Sequence, residues 1–361
     1  MNVNLSIDPN IDLMNKVFEA EQDTTPRTYL GMSSIGMECE RNLWYTYRHA
    51  NTVTFSAKTL YKFEDGHYSE ALTAKRLKKV NGIDLKDVNE DGEQFGFVDI
   101  GGHFRGHADG IISGLYQAVE KPHIWEHKCV DEKKFNKFEK LTQELPRNDV
   151  LKAWDGIYYA QAQMYMHYSG IDRHWLTVAY AGSRNYAAVR TDYRKKDAVT
   201  LQLKAQDIIA SDIPPVKISE KPDYFQCKWC DHHNICHGES TAKANCRTCL
   251  YSFPDIATEG GKWYCQRFEQ YLENEFMDNN QCIEHLYIPN ILENVADFIG
   301  ADSASKTVTY RNKVNQQVFV NGSHLDTYLS KEIERNDIAV IGDVIIDDIK
   351  ATFETRLHGG N

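Results

Sequence analysis

With 361 residues, 42% of them hydrophobic and 26% charged, the chain has the makeup of a water-soluble globular protein long enough for a large core and two or three domains. A formal net charge of −11 excludes a chain that is basic throughout, so contact with nucleic acid would rest on local clusters such as Lys75, Arg76, Lys78 and Lys79 or Lys133, Lys134, Lys137 and Lys140. No apolar run approaches bilayer length, and residues 1–23 carry Asp8, Asp12 and Glu19 without the basic flank and apolar stretch of a signal peptide, which predicts a cytoplasmic protein with no membrane role.

Residues 27–80 read as mainly helical. Ser33-Ser34 offers capping groups ahead of a helix over 38–47, and the spacing of apolar and aromatic residues predicts another over 58–79. Residues 97–100 and 103–112 read as a hairpin turned at Gly101-Gly102, with the next strand over His123–Val130. Helices are predicted over 133–141 and 150–168. Strands over 175–180 and 186–189 then flank Gly182-Ser183, and 195–209 is an amphipathic helix closed by Pro214-Pro215. This alternation predicts an α/β fold. Beyond about Pro289, residues 307–310, 316–320 and 338–346, with a turn at Asn321-Gly322, predict a small separate α/β appendage.

Two stretches carry the chemistry: Gly106-His107-Ala108-Asp109-Gly110 and Glu126-His127-Lys128. As strands, their period of two puts Glu126 and Lys128 on one face and His127 and Cys129 on the other. Asp109 runs on to Ile111-Ile112 and Glu126 lies behind Ile124-Trp125, so both read as charges at the ends of otherwise buried strands. Such charges are too costly to bury without a partner or a metal. Two carboxylates beside an ammonium suit Mg²⁺ or Mn²⁺, with the lysine positioning a water or screening negative charge. The plain alternative is that each short pattern arises by chance and its charges are solvated. On the 150–168 helix Gln161 and Tyr165 share a face, although Tyr158, Tyr159 and Met164 also fit an ordinary core helix.

The nine cysteines, an odd number with close C-x2-C pairs, read as metal ligands in a reducing compartment rather than as disulfides. Cys246-x2-Cys249, Cys265 and Cys282-x2-His285 give five candidate donors for one four-coordinate zinc. The favoured set is the four cysteines, with His285 as a substitute or outer partner. Cys129 reads as a buried thiol.

The ordered set Gly66-His67-Tyr68-Ser69-Glu70, Gly106-His107-Ala108-Asp109, Glu126-His127-Lys128 and Gln161-Ala162-Gln163-Met164-Tyr165 resembles the PD-(D/E)XK nucleases, specifically their RecB-like and CRISPR-associated exonuclease branch, over roughly residues 30–240. The resemblance implies a restriction-endonuclease-like core, a central mixed sheet flanked by helices. It makes Glu70, Asp109 and Glu126 ligands of Mg²⁺ or Mn²⁺ and Lys128 catalytic. Gln161 and Tyr165 become site supports or DNA contacts, and His67, one turn from Glu70, the place of the histidine that some members use. Cys39 together with Cys227-x2-Cys230-x5-Cys236 resembles the set that holds a [4Fe-4S] cluster in CRISPR-associated and AddB-like nucleases and staples the ends of the domain. Zinc is the alternative for four thiolates. Glu38 departs from the proline that often flanks this cysteine.

The implied function is metal-dependent DNA exonuclease activity in recombination, repair or phage DNA processing, with a single-strand annealing or single-strand-binding protein as partner. Competing readings are a DNA-end-binding or assembly subunit, as in CRISPR adaptation, and a structure-specific endonuclease. The expected division is an N-terminal extension (1–26), a nuclease domain (27–240) closed by Cys39, Cys227, Cys230 and Cys236, a zinc-binding segment (241–289) and the C-terminal appendage (290–361).

Overall fold

The computed structural model describes residues 8–182, 185–274, 277 and 282–357. The first part of the chain forms α1 (Pro9–Ala20), β1 (Leu30–Gly31), α2 (Glu40–Tyr47), α3 (Ala57–Leu77), β2 (Asp84–Lys86), β3 (Phe95–Asp99), β4 (Phe104–Ala108), β5 (Gly110–Ser113) and β6 (His123–Val130). Three helices follow, α4 (Glu132–Glu144), α5 (Arg147–Trp154) and α6 (Gly156–Ser169), then β7 (Arg173–Tyr180), β8 (Tyr186–Asp192) and α7 (Lys195–Ala210).

These elements make a mixed α/β architecture. A five-stranded sheet runs β2-β5-β6-β7-β8, antiparallel except where β7 pairs parallel to β6 across the helical crossover. A smaller sheet, β1-β4-β3, lies beside it. Helix α6 packs against strands of both sheets, and every residue from Tyr159 to Met166 is buried. Being apolar on nearly all sides, it is a central helix rather than a surface one.

Two predicted elements are interrupted, each at an aspartate. The strand expected over 103–112 breaks at Asp109: β4 belongs to the small sheet and β5 to the large one. The helix expected over 150–168 breaks at Asp155, whose carboxylate caps α6 by accepting the N–H groups of Ile157 and Tyr158 at 2.9 and 3.1 Å. Helix α2 starts at Glu40 with Cys39 as its N-cap residue, while Ser34 closes a turn by donating to the Gly31 carbonyl. Of the expected turn at Gly182-Ser183, Ser183 lies outside the described residues, as do residues 1–7 of the amino-terminal reading.

The cysteine-rich stretch adds short helices α8 (Phe225–Lys228) and α9 (His233–His237) and a sheet of three-residue strands, β9 (Ser252–Pro254), β10 (Trp263–Cys265) and β11 (Gln270–Leu272). It is bound tightly to the first half of the chain. Arg247, fully buried, donates to the carbonyls of Tyr47 and Thr28 at 3.2 and 3.1 Å. The Trp263 ring lies between the guanidinium groups of Arg48 and Arg247, at 5.1 and 4.9 Å.

A last antiparallel sheet, β12 (Ala296–Asp302), β13 (Thr307–Asn312) and β14 (Val318–Asn321), is followed by α10 (Ser330–Arg335) and α11 (Val344–Phe353). Strand β12 was not anticipated, and the apolar run 338–346 forms a 3₁₀ turn leading into α11. No helix of the described residues is long and apolar enough to cross a membrane.

Candidate active site and cysteine clusters

Strand β6 lies in the interior of the large sheet, and Glu126 on it is 1% exposed. Its neighbour β5 begins one residue after Asp109, and the pairing of Gly110 with Trp125 brings Asp109 alongside Glu126. The two are cross-linked through backbone. The Asp109 N–H points at Glu126 Oε1 at 3.4 Å, and Asp109 Oδ2 accepts the His127 N–H at 2.8 Å. Glycine is required on both sides of this crossing. A Cβ at Gly106 would meet Tyr165 Cε1 at 2.6 Å, and one at Gly110 would meet the Lys86 carbonyl at 2.7 Å.

Alternation along β6 works as anticipated. Lys128 Nζ donates to Glu126 Oε2 at 2.8 Å on one face. On the other, His127 holds Ser69 Oγ of α3 at 2.8 Å and Thr177 Oγ1 at 3.0 Å. Burial, with Lys128 adding to it, brings the His127 imidazole down to about 4, so it is a neutral tie. That tie seats α3 on the sheet, and Glu70, the residue after Ser69, is near enough to feel the charges of Asp109 and Lys128. His67 is exposed.

Helix α6 supplies the fourth side. Gln161 Nε2 donates to Glu126 Oε2 at 3.2 Å and to Tyr165 Oη at 3.1 Å. Both are buried: Gln161 holds the carboxylate directly, and Tyr165 holds Gln161.

Lys128 bonds Glu126 and also feels Asp109, and Glu70 feels both Asp109 and Lys128, so full ionisation of the four would leave two negative charges (three minus one) without a counter-charge. The energetics register this imbalance. Burial, then the Asp109 charge, raises Glu126 to about 8 and Glu70 to about 7, in each case against Lys128. Burial also raises Asp109, against Lys128 and the His127 N–H. Burial disfavours a charged Lys128, but Glu126 and Asp109 outweigh it and hold the ammonium above the ordinary lysine range. Hard oxygen donors with surplus buried negative charge suit a divalent cation. Among the described residues, however, no group of three or more His, Cys, Asp or Glu side chains is already drawn into a metal-holding arrangement. Here the Lys128 ammonium sits on Glu126 Oε2 itself.

Tyr158 was missed from sequence. Its ring lies 5.4 Å from Lys128 Nζ and 4.6 Å from Lys134 Nζ. Its place three residues before Gln161 on the same helix was the available signal. The lysines of α4 are partly committed inward: Lys134 pairs with Asp155 at 2.7 Å and Lys137 donates to the Trp154 carbonyl at 3.2 Å. Lys133 is exposed, and Lys140 lies 3.7 Å from Glu144. In the other cluster Lys78 pairs with Asp87 and Arg76 donates to Tyr186 Oη.

The cysteines fall into two groups. Cys39, Cys227, Cys230 and Cys236 line one cavity of about 500 Å³, together with Arg41 and Lys217. Asn42 Nδ2 donates to Cys230 Sγ at 3.0 Å, and burial pushes the Cys236 thiol to about 11 against the pull of Arg41 and Lys217. Cys246, Cys249, Cys265 and Cys282 line a second, much smaller cavity of about 20 Å³. Burial pushes the Cys249 thiol to about 12. His285 is outside that group: its Nε2 lies 2.9 Å from the Asn245 carbonyl and 3.4 Å from Thr248 Oγ1. Cys129 is half-buried, and burial raises its thiol.

A carboxylate and lysine centre held where two sheets meet, with two separate thiol clusters behind it, is the kind of protein that the fold and site define. No family model matches the chain, and no curated protein does. Among solved structures it is similar to an alkaline exonuclease from Laribacter hongkongensis, at 13% identity and TM-score 0.36 over 55% of this chain and 91% of that one. The same exonuclease in complex with dAMP matches over 50% and 86%, again at 13% and 0.36. The protein SSO0001 matches at 16% identity and TM-score 0.36, over 64% of this chain and 98% of that chain. At these scores the likenesses assign no role to any residue.

Proposed function

We propose that the chain is a metal-dependent deoxyribonuclease of the PD-(D/E)XK type, acting as an exonuclease. The observation that supports this reading is Asp109, just before β5, side by side with Glu126 on β6, with Lys128 and Gln161 both bonded to Glu126 and Glu70 near enough to feel Asp109 and Lys128. Glu70, Asp109 and Glu126 would hold Mg²⁺ or Mn²⁺, which polarises a phosphoryl oxygen and acidifies a bound water. The protein's own groups do the rest. Lys128 keeps its proton and offers a fixed positive charge to the negative charge that builds on the scissile phosphate. The Gln161 amide and the Asp109 N–H hold the Glu126 carboxylate in one orientation. Lys133 and Lys140 on α4 would meet the DNA backbone, whose neutralisation supplies sequence-independent affinity. Such an enzyme would work in the cytoplasm, beside a single-strand annealing or single-strand-binding protein that takes up its product strand.

Incubating linear and closed circular duplexes with Mn²⁺ tests this. The expected result is digestion of the linear form only, reduced on the order of 10³-fold in Asp109→Ala. Undiminished digestion by that variant would overturn the reading. Cutting of closed circles would make the enzyme an endonuclease, and end binding without cleavage would make it an assembly subunit.

Cys39, Cys227, Cys230 and Cys236 would hold a [4Fe-4S] cluster, which thiolates suit and whose negative charge Arg41 and Lys217 would offset. Anaerobically purified protein is expected to be brown, with absorbance near ~400 nm and equal amounts of iron and sulfide. Both signals should disappear in Cys227→Ser. Colourless protein carrying zinc in their place would refute the cluster.

A further inference from the structure

Four thiols from three separate stretches of chain line one small cavity. Cys246 and Cys249 bracket a single 3₁₀ turn, Cys265 ends β10, and Cys282 lies just before the link to Tyr287 that pairs back onto Cys249. The strands around them are three residues long, too short to hold a sheet by themselves. Cys246, Cys249 and Cys265 are all at most 8% exposed. The cavity they share with Cys282 is about 20 Å³, room for one water or one ion.

The charged pair lining the cavity is already satisfied, since Arg267 donates to Glu284 Oε2 at 2.9 and 3.1 Å. All four thiols line the same small space. The sulfurs are not yet at ligating separations.

We propose that Cys246, Cys249, Cys265 and Cys282 bind one structural zinc ion, and that this ion locks Arg247 into the core. Soft, closed, four-thiolate sites without an open position are those of structural zinc. Arg247 lies between two of the ligands in sequence. Fixing both ends of the Cys246–Cys249 turn fixes the backbone from which the Arg247 side chain reaches the Tyr47 and Thr28 carbonyls. His285, expected from sequence as a substitute ligand or outer partner, lies against the same turn, with its Nε2 beside the Asn245 carbonyl and Thr248 Oγ1. The proposal is independent of any nuclease activity.

Elemental analysis of the full chain, purified from cells supplied with both zinc and iron, tests it. One zinc per chain is expected, lost in Cys265→Ser and retained in Cys227→Ser. If Cys265→Ser is not recovered folded, a mercurial titration of the wild-type chain takes its place. It should release one equivalent of zinc together with a fall in melting temperature and a change in Trp263 emission. Zinc-free wild-type protein, zinc kept by Cys265→Ser, mercurial release without loss of stability, or a single iron atom at the site would each overturn the proposal.

Discussion

Lys128→Ala is expected to lower DNA cleavage on the order of 10²-fold to 10³-fold while making the protein lean more heavily on a divalent cation. The two effects share one cause. Lys128 is the ammonium that Glu70, Asp109 and Glu126 share, and its head bonds Glu126, whose side chain is 2% exposed. Removing one partner of a buried pair costs about 3–5 kcal/mol when the other charge stays behind. Some of that is relieved here because Glu126 and Glu70 can take up protons near neutral pH. The metal-free variant should therefore melt at a lower temperature than the wild type. Added Mn²⁺, now facing three carboxylates and no competing ammonium, should raise its melting temperature by more than it raises the wild type's. A merely structural lysine would show the first change without the second. Unchanged cleavage, or equal responses to Mn²⁺, would remove Lys128 from the proposed chemistry.

Arg247→Ala is expected to cost on the order of 3–5 kcal/mol, a loss typical of emptying a large buried site. The side chain has no exposed surface, lies over both Tyr47 and Trp263, and satisfies two backbone carbonyls that would otherwise be buried without a donor. Arg147→Ala is the internal control, because its pairing with Asp192 is well exposed and worth at most about 1 kcal/mol. Urea unfolding followed by tryptophan fluorescence compares the two. A midpoint shift for Arg247→Ala no larger than that for Arg147→Ala would show that the cysteine-rich segment is not anchored through this residue.

Periodicity put side chains on the right faces wherever one element carried them. The opposed roles of Glu126 and Lys128 against His127 follow from strand alternation alone, and Gln161 with Tyr165 from helical spacing. What stayed hidden depended on partners distant in sequence. Nothing local marks Asp109 as the point where the chain leaves one sheet for another, because extended chain continues through it from β4 into β5. Asp155 left a signal, an aspartate before glycine, but Trp154 and Ile157 continue the apolar pattern across it. The lysine run on α4 could not be sorted from sequence, since the rings of Trp154 and Tyr158 that attract Lys134 come from the two following helices. Cysteine spacing grouped the thiols as the two cavities do, but gave no sign that the His285 ring also meets the Asn245 carbonyl.

The rungs between β5 and β6 set how this centre tolerates growth. Asp109 and Glu126 meet because Gly110 pairs with Trp125 and Ile112 with His123, while beyond the buried Leu115 the return to β6 leaves Tyr116 96% exposed. Lengthening that return adds only about 0.6 kcal/mol of closure entropy per doubling and moves neither carboxylate. One residue added at Asp109 itself would shift the two sheets out of step and carry the carboxylate to the wrong face. The hairpin end is thus a place where related chains can differ freely in length, and the crossing is a place where they cannot.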